Sequence, residues 1–177
     1  MKKFYLWLLA KNNKYGYTIF ELLVVISILA LLISLTIPGL SFLRQHAIDS
    51  ELDKLQIICQ LLQKQAVSSG RKEYLTFHAF DHSYFYCSHS EKLADNVYFG
   101  ILKDVNGPPA NPKEPITNPI TFPKQRITFH PNGMISAGTM YLTTQDRKTL
   151  LALTVPVSQV SFIRKYKYLN GTWVYLK

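Results

Sequence analysis

An α+β fold, with one long N-terminal helix carrying an antiparallel β-sheet domain, is predicted by three features of the sequence. The first third has a helical apolar pattern, the period changes to strand-like alternation after Gly70, and Asn-Gly pairs punctuate the rest. The 177 residues fit one ordinary domain with a modest appendage. With 47% hydrophobic and 18% charged residues the chain lies outside intrinsic disorder. The formal net charge of +9 points to an acidic partner, nucleic acid or membrane surface, without locating it.

The helix begins with an apolar run, IFELLVVISILALLISLTI, over residues 19–37, in which Glu21 is the only charge. At about 1.5 Å per residue, a helix over residues 17–37 is about 31 Å long, matching a hydrocarbon core of about 30 Å. The run is therefore predicted to span a membrane once. Lys2, Lys3, Lys11 and Lys14 precede it with no acidic residue among them, whereas a charge mixture follows it. The positive-inside rule then leaves residues 1–16 in the cytoplasm and exports the C-terminal part. A cleaved secretory signal is the alternative, opposed by the length of the run and the lack of a small-x-small cleavage site after it.

A carboxylate within such a run costs about 2.5–3.5 kcal/mol when central and less near an end. Glu21 either snorkels to the interface or meets a cation from another chain. Its surroundings are specific. Gly16-Tyr17-Thr18-Ile19-Phe20-Glu21-Leu22-Leu23, followed by the apolar run and Pro38, resembles the processing motif of type IV pilins and pseudopilins. The resemblance implies cleavage by a prepilin peptidase between Gly16 and Tyr17 and N-methylation of Tyr17. It also implies assembly through Glu21, whose carboxylate would meet the N-terminal ammonium of a neighbouring subunit.

Pro38 and Gly39 mark either the end of the helix or a bend in it. The pattern beyond favours a bend or local unwinding, because Leu43, Ala47, Leu52, Leu55, Ile58, Cys59, Leu62 and Ala66 recur at helical spacing. Gly70 is the predicted C-terminal cap. Residues 1–16 are thus read as a cytoplasmic leader, 17–69 as the long helix and 70–177 as the exported β domain.

In that domain, strands are expected over residues 74–80, 84–87, 97–102, 127–129, 139–143, 151–155, 160–166 and 172–176. Asn106-Gly107, Asn132-Gly133 and Asn170-Gly171 are turn candidates. The proline-dense segment 108–123 excludes a central strand and reads as an extended surface loop. A strand ending in Phe129, then His130-Pro131-Asn132-Gly133, then a strand opening with Gly138-Thr139, resembles the GspH/FimT group of minor pseudopilins.

His78, His82, Cys87 and His89 have metal-ligand chemistry but no zinc spacing, so no metal and no cofactor are expected. Cys59 and Cys87 are a candidate disulfide on an exported domain, against simple burial of Cys59 on the apolar stripe. Arg164, Lys165 and Lys167, interleaved with aromatics, are candidate nucleic-acid contacts, against an edge hairpin whose lysines protect the sheet. No hydrolase, nucleotide-binding or metalloprotease motif occurs, so the chain is read as a non-enzyme.

The reading reached from sequence is a minor pseudopilin of a type II secretion system or type IV pilus-like filament, anchored in the inner membrane. Its implied partners are a prepilin peptidase, other pilins or pseudopilins and the inner-membrane assembly platform. The alternative readings are a DNA-binding minor pilin of a DNA-uptake pilus and a membrane-anchored β domain outside any filament.

Overall fold

The computed structural model describes residues 18–157 and 160–176, with the side chains of residues 35–45 excepted. The scissile pair Gly16 and Tyr17 lies outside the described residues. The chain divides into two compact units, Met1–Leu40 and Ser41–Lys177. Helix α1 (Ile19–Ser69) is assigned across the division, and its span includes Pro38 and Gly39, whose side chains lie outside the described residues. The described part of the first unit is helical, and every side chain described in it is exposed.

In the second unit, α1 is followed by β1 (Glu73–His78), β2 (Ser83–Tyr86), β3 (His89–Lys92), β4 (Val97–Phe99), β5 (Asn106–Gly107) and β6 (Glu114–Pro115). After these come β7 (Arg126–Phe129), β8 (Gly138–Thr144), β9 (Leu150–Val155), β10 (Arg164–Leu169) and β11 (Thr172–Leu176). They form a four-stranded sheet ordered β3-β2-β1-β7, a five-stranded sheet ordered β11-β10-β9-β8-β4, and the small β5-β6 pair. Every described pairing is antiparallel, so the fold is α+β.

The stripe on α1 places Ile48, Leu52, Leu55, Cys59, Leu62 and Ala66 at alternating spacings of four and three. That spacing keeps all six on one helix face, where they are buried. They join one core with Leu75, Phe77, Ile127 and Phe129 of the first sheet and Met140, Leu142, Leu151 and Leu153 of the second. Burying each large side chain contributes about 1.5–3 kcal/mol, enough for the stripe to fix α1 on both sheets. Gln63 adds a polar tie, donating from Nε2 to the carbonyls of Gly133 (2.8 Å) and Ser161 (2.9 Å). The helix stops beside Gly70, the predicted cap.

The five-stranded sheet is covered on its other face too. Tyr141, Leu150, Ala152 and Tyr166 pack there with Val105, with Ile116 of the proline-dense segment and with Trp173. Trp173 Nε1 donates to the Asn106 carbonyl (2.8 Å), and the Tyr141 hydroxyl is buried deeply enough to be pushed up to about 12. Asn106-Gly107, a turn candidate by sequence, is a strand segment instead. A Cβ on Gly107 would lie 2.5 Å from the Tyr141 hydroxyl and 2.7 Å from Ile116, so the glycine serves close packing rather than a turn. Asn170-Gly171 does form the two-residue turn expected between β10 and β11, with φ of 49° and 83°.

Candidate functional site: the helix start and the basic hairpin

At the start of α1, Thr18 and Glu21 bond reciprocally. The Thr18 backbone N–H donates to Glu21 Oε2 (2.9 Å), the Thr18 hydroxyl donates to the same oxygen (3.2 Å), and the Glu21 N–H donates to Thr18 Oγ1 (3.2 Å). This is a capping box, satisfying donors that a helix N-terminus otherwise leaves open. Its Thr-x-x-Glu signature stands in the sequence, but the surrounding apolar run conceals it from a search for charges. Both of Glu21's partners are neutral, and no ion pair to Glu21 forms among the described residues.

Downstream, the two serines of the apolar run return their hydroxyls to the helix: Ser27 to the Leu23 carbonyl (2.8 Å) and Ser34 to the Leu31 carbonyl (2.8 Å). The segment thus presents apolar side chains outward while meeting its own serine hydrogen bonds, as an apolar environment requires. Among the described residues no helix is long and apolar enough to cross a membrane. The described side chains of the run, residues 19–34, stop short of the about 20 that a crossing takes, and in the sequence the run continues to Ile37.

The basic C-terminal stretch forms the β10-β11 hairpin, and strand alternation splits it between two faces. Lys165 and Lys167 stand opposite Leu153 and Leu151 on the α1 side. There Lys165 Nζ meets Asp53 Oδ1 at 2.6 Å and Lys167 Nζ meets Asp49 Oδ1 at 3.5 Å, with the lysine side chains only 12% and 19% exposed. Tyr166, Tyr168 and Trp173 occupy the opposite face, in one cluster with Val105 and Ile116. Arg164 lies over the Phe162 ring, 4.9 Å from its centre. Arg164, Lys165 and Lys167 are therefore neighbours in sequence without forming one open cationic surface.

A third tie joins α1 to the first sheet. Lys54 pairs with Glu91, which also accepts from the Tyr86 hydroxyl (2.7 Å) and the Tyr84 hydroxyl (3.3 Å), while Tyr84 lies 3.2 Å from Glu51 Oε1. The Lys54 hydrogen bond, reinforced by Tyr86, holds the Glu91 carboxyl below the usual carboxylate range, and Glu91 raises Lys54 in turn. Burial, together with the Glu51 and Glu91 charges, pushes the Tyr84 hydroxyl up.

Cys59 and Cys87 are both free thiols, correcting the disulfide candidate. Cys59 is enclosed within the helical stripe, where burial pushes its thiol up, whereas Cys87 is exposed in the β2-β3 turn against Gln65 (3.3 Å). The histidines are also dispersed. His82 Nδ1 accepts from the Phe99 N–H (3.2 Å), His89 Nδ1 bonds the Cys87 carbonyl (2.9 Å), and His78 is exposed at the end of β1. Among the described residues no group of histidine, cysteine and carboxylate side chains is placed to hold a metal ion.

Residues 11–37 match the family model described as the prokaryotic N-terminal methylation motif. No curated protein and no solved structure matches the chain significantly. The chain carries a type IV pilin-like N-terminus, the signal that prepilin peptidase processes, and the matched residues contain Gly16, Tyr17 and Glu21.

Proposed function

We propose that this protein is a minor pseudopilin of the GspH/FimT type, serving a type II secretion system or a type IV pilus-like filament. It enters the inner membrane through residues 17–37 with its N-terminus cytoplasmic and its β domain exported. Prepilin peptidase removes residues 1–16 and methylates Tyr17. The mature subunit then joins other pilins at the assembly platform through α1. It acts as a structural subunit, not as a catalyst.

The observation that carries this reading is the methylation motif over residues 11–37, whose described apolar side chains, within residues 19–34, are all exposed. A surface of that kind needs a lipid or protein environment around it. Support for the GspH/FimT group comes from the β7-turn-β8 unit, where Phe129 closes one strand and Gly138 opens the next. A DNA-uptake role through Arg164, Lys165 and Lys167 has less support, because Asp53 and Asp49 engage the two lysines.

The test is coexpression with a prepilin peptidase, followed by intact-mass measurement. The expected product lacks residues 1–16 and carries one added methyl group. A full-length product, under conditions where a known prepilin is cut, refutes the proposal.

A further inference from the structure

From the outer face of the four-stranded sheet we infer a binding surface for single-stranded nucleic acid, distinct from the C-terminal hairpin and independent of the pilin-like reading. Strand register defines this face. Tyr74, Thr76 and His78 of β1 stand beside Phe85 of β2, beside Ser90 and Lys92 of β3, and beside Arg126 and Thr128 of β7. Alternation turns these residues away from Leu75, Phe77, Tyr84 and Ile127, which are buried under α1.

Two aromatic side chains remain open on the face, Tyr74 at 38% and Phe85 at 43% exposure. The Arg126 guanidinium lies over the Tyr74 ring, 4.5 Å from its centre. Phe85 sits one strand over and two residues along from Tyr74, a separation of about 8 Å from strand spacing and rise. Phe80, in the turn after His78, adds a third aromatic at 96% exposure.

The charge on this face has one sign. Lys92 and Arg126 are its cations, His78 is a further nitrogen donor or acceptor, and no carboxylate or side-chain amide stands at its strand positions, Asp81 lying in the turn beside Phe80. The carboxylates of the same sheet, Glu73 and Glu91, stand opposite Phe129 and Tyr84 in register, on the side toward α1. The five-stranded sheet differs, since Leu102, Val105 and Ile116 cover its second face and α1 carboxylates engage its lysines.

Charge complementarity therefore selects a polyanion, and the open rings select one with unpaired π-faces. Bases stack on aromatic side chains while Lys92 and Arg126 meet the phosphates. Neutral glycans are disfavoured by the lack of carboxylates and amides to bond their hydroxyls. Duplexes are disfavoured because their bases are already stacked.

The full chain in nonionic detergent is titrated into a labelled short oligothymidylate, with fluorescence anisotropy as the readout. Binding is expected at low salt, weakening by about 0.7 log unit per log unit of salt for each phosphate contact. Phe85→Ala is expected to weaken binding about 5- to 150-fold, Phe85→Tyr to preserve it, and Arg126→Ala to lower both affinity and salt slope. Arg164→Ala is expected to leave affinity unchanged. Far-UV circular dichroism melts verify that each variant is folded, and Tyr74→Ala stands in for Phe85→Ala if that variant unfolds. Absence of binding at low salt overturns the inference. Equal affinity for duplex, heparin or anionic phosphatidylglycerol vesicles that is insensitive to Phe85→Ala also overturns it, as does loss on Arg164→Ala with Phe85→Ala unaffected.

Discussion

Substituting Glu21 separates two roles that one carboxylate holds, capping its own helix and presenting a charge to another subunit. Among the described residues, Glu21 accepts from the N–H and hydroxyl of Thr18, at 2.9 and 3.2 Å. Glutamine occupies the same place in a capping box, so Glu21→Gln keeps the cap and removes only the charge. Loss of the cap, as in Glu21→Ala, costs about 1 kcal/mol. Loss of one member of a desolvated ion pair costs about 3–5 kcal/mol, which corresponds to at least about 150-fold in an association equilibrium.

If Glu21 meets a neighbouring ammonium, Glu21→Gln and Glu21→Ala both lose filament incorporation by roughly two orders of magnitude. The assay coexpresses each variant with prepilin peptidase and the partner pilins, confirms cleavage by intact mass, and then compares the sheared-filament and membrane fractions by quantitative immunoblot. Membrane insertion is expected to remain intact in both variants. Incorporation of Glu21→Gln at the wild-type level refutes the charge role, and wild-type incorporation of both variants refutes any role of Glu21 in assembly.

Two further outcomes follow from the β domain. A thiol-reactive probe is expected to label Cys87 in the folded chain and Cys59 only after unfolding, because burial both encloses the Cys59 thiol and keeps it protonated; mass mapping that finds both thiols blocked before reduction contradicts this. Because Glu91 has a lowered folded-state pKa, its contribution to stability is present above the unfolded carboxylate value near 4.3 and is lost as pH falls through the folded value. Trp173 fluorescence in a Trp7→Phe background should therefore show the wild-type advantage over Glu91→Gln at neutral pH shrinking in acid, and an advantage constant with pH rules out that linkage.

The stripe on α1 is legible in the sequence because burial of one helix face leaves a period of three and four that few other structures produce. Its reading still places Ala47 where Ile48 is the fully buried residue, since adjacent apolar positions share a helix edge. Strand β3 escapes detection because His-Ser-Glu-Lys has no β-branched or apolar signal; it is an edge strand held by pairing to β2 and by Glu91. Gly107 misleads because glycine signals turns and close contacts alike, and only the third dimension brings Tyr141 beside it. The basic hairpin misleads for a related reason. Asp49 and Asp53 lie more than a hundred residues from Lys167 and Lys165, and local composition carries no trace of that pairing.

The serine back-bonds of α1 determine what a neighbouring helix can read from it. With Ser27 and Ser34 turned onto their own carbonyls, the surface described between Leu22 and Ser34 offers no polar landmark to an approaching partner. Sliding along the axis or rotating about it then exchanges one apolar contact for another at little cost. Among the described residues of the run Glu21 is the one charged mark, so if a second helix packs on this surface, its stagger is set at that end.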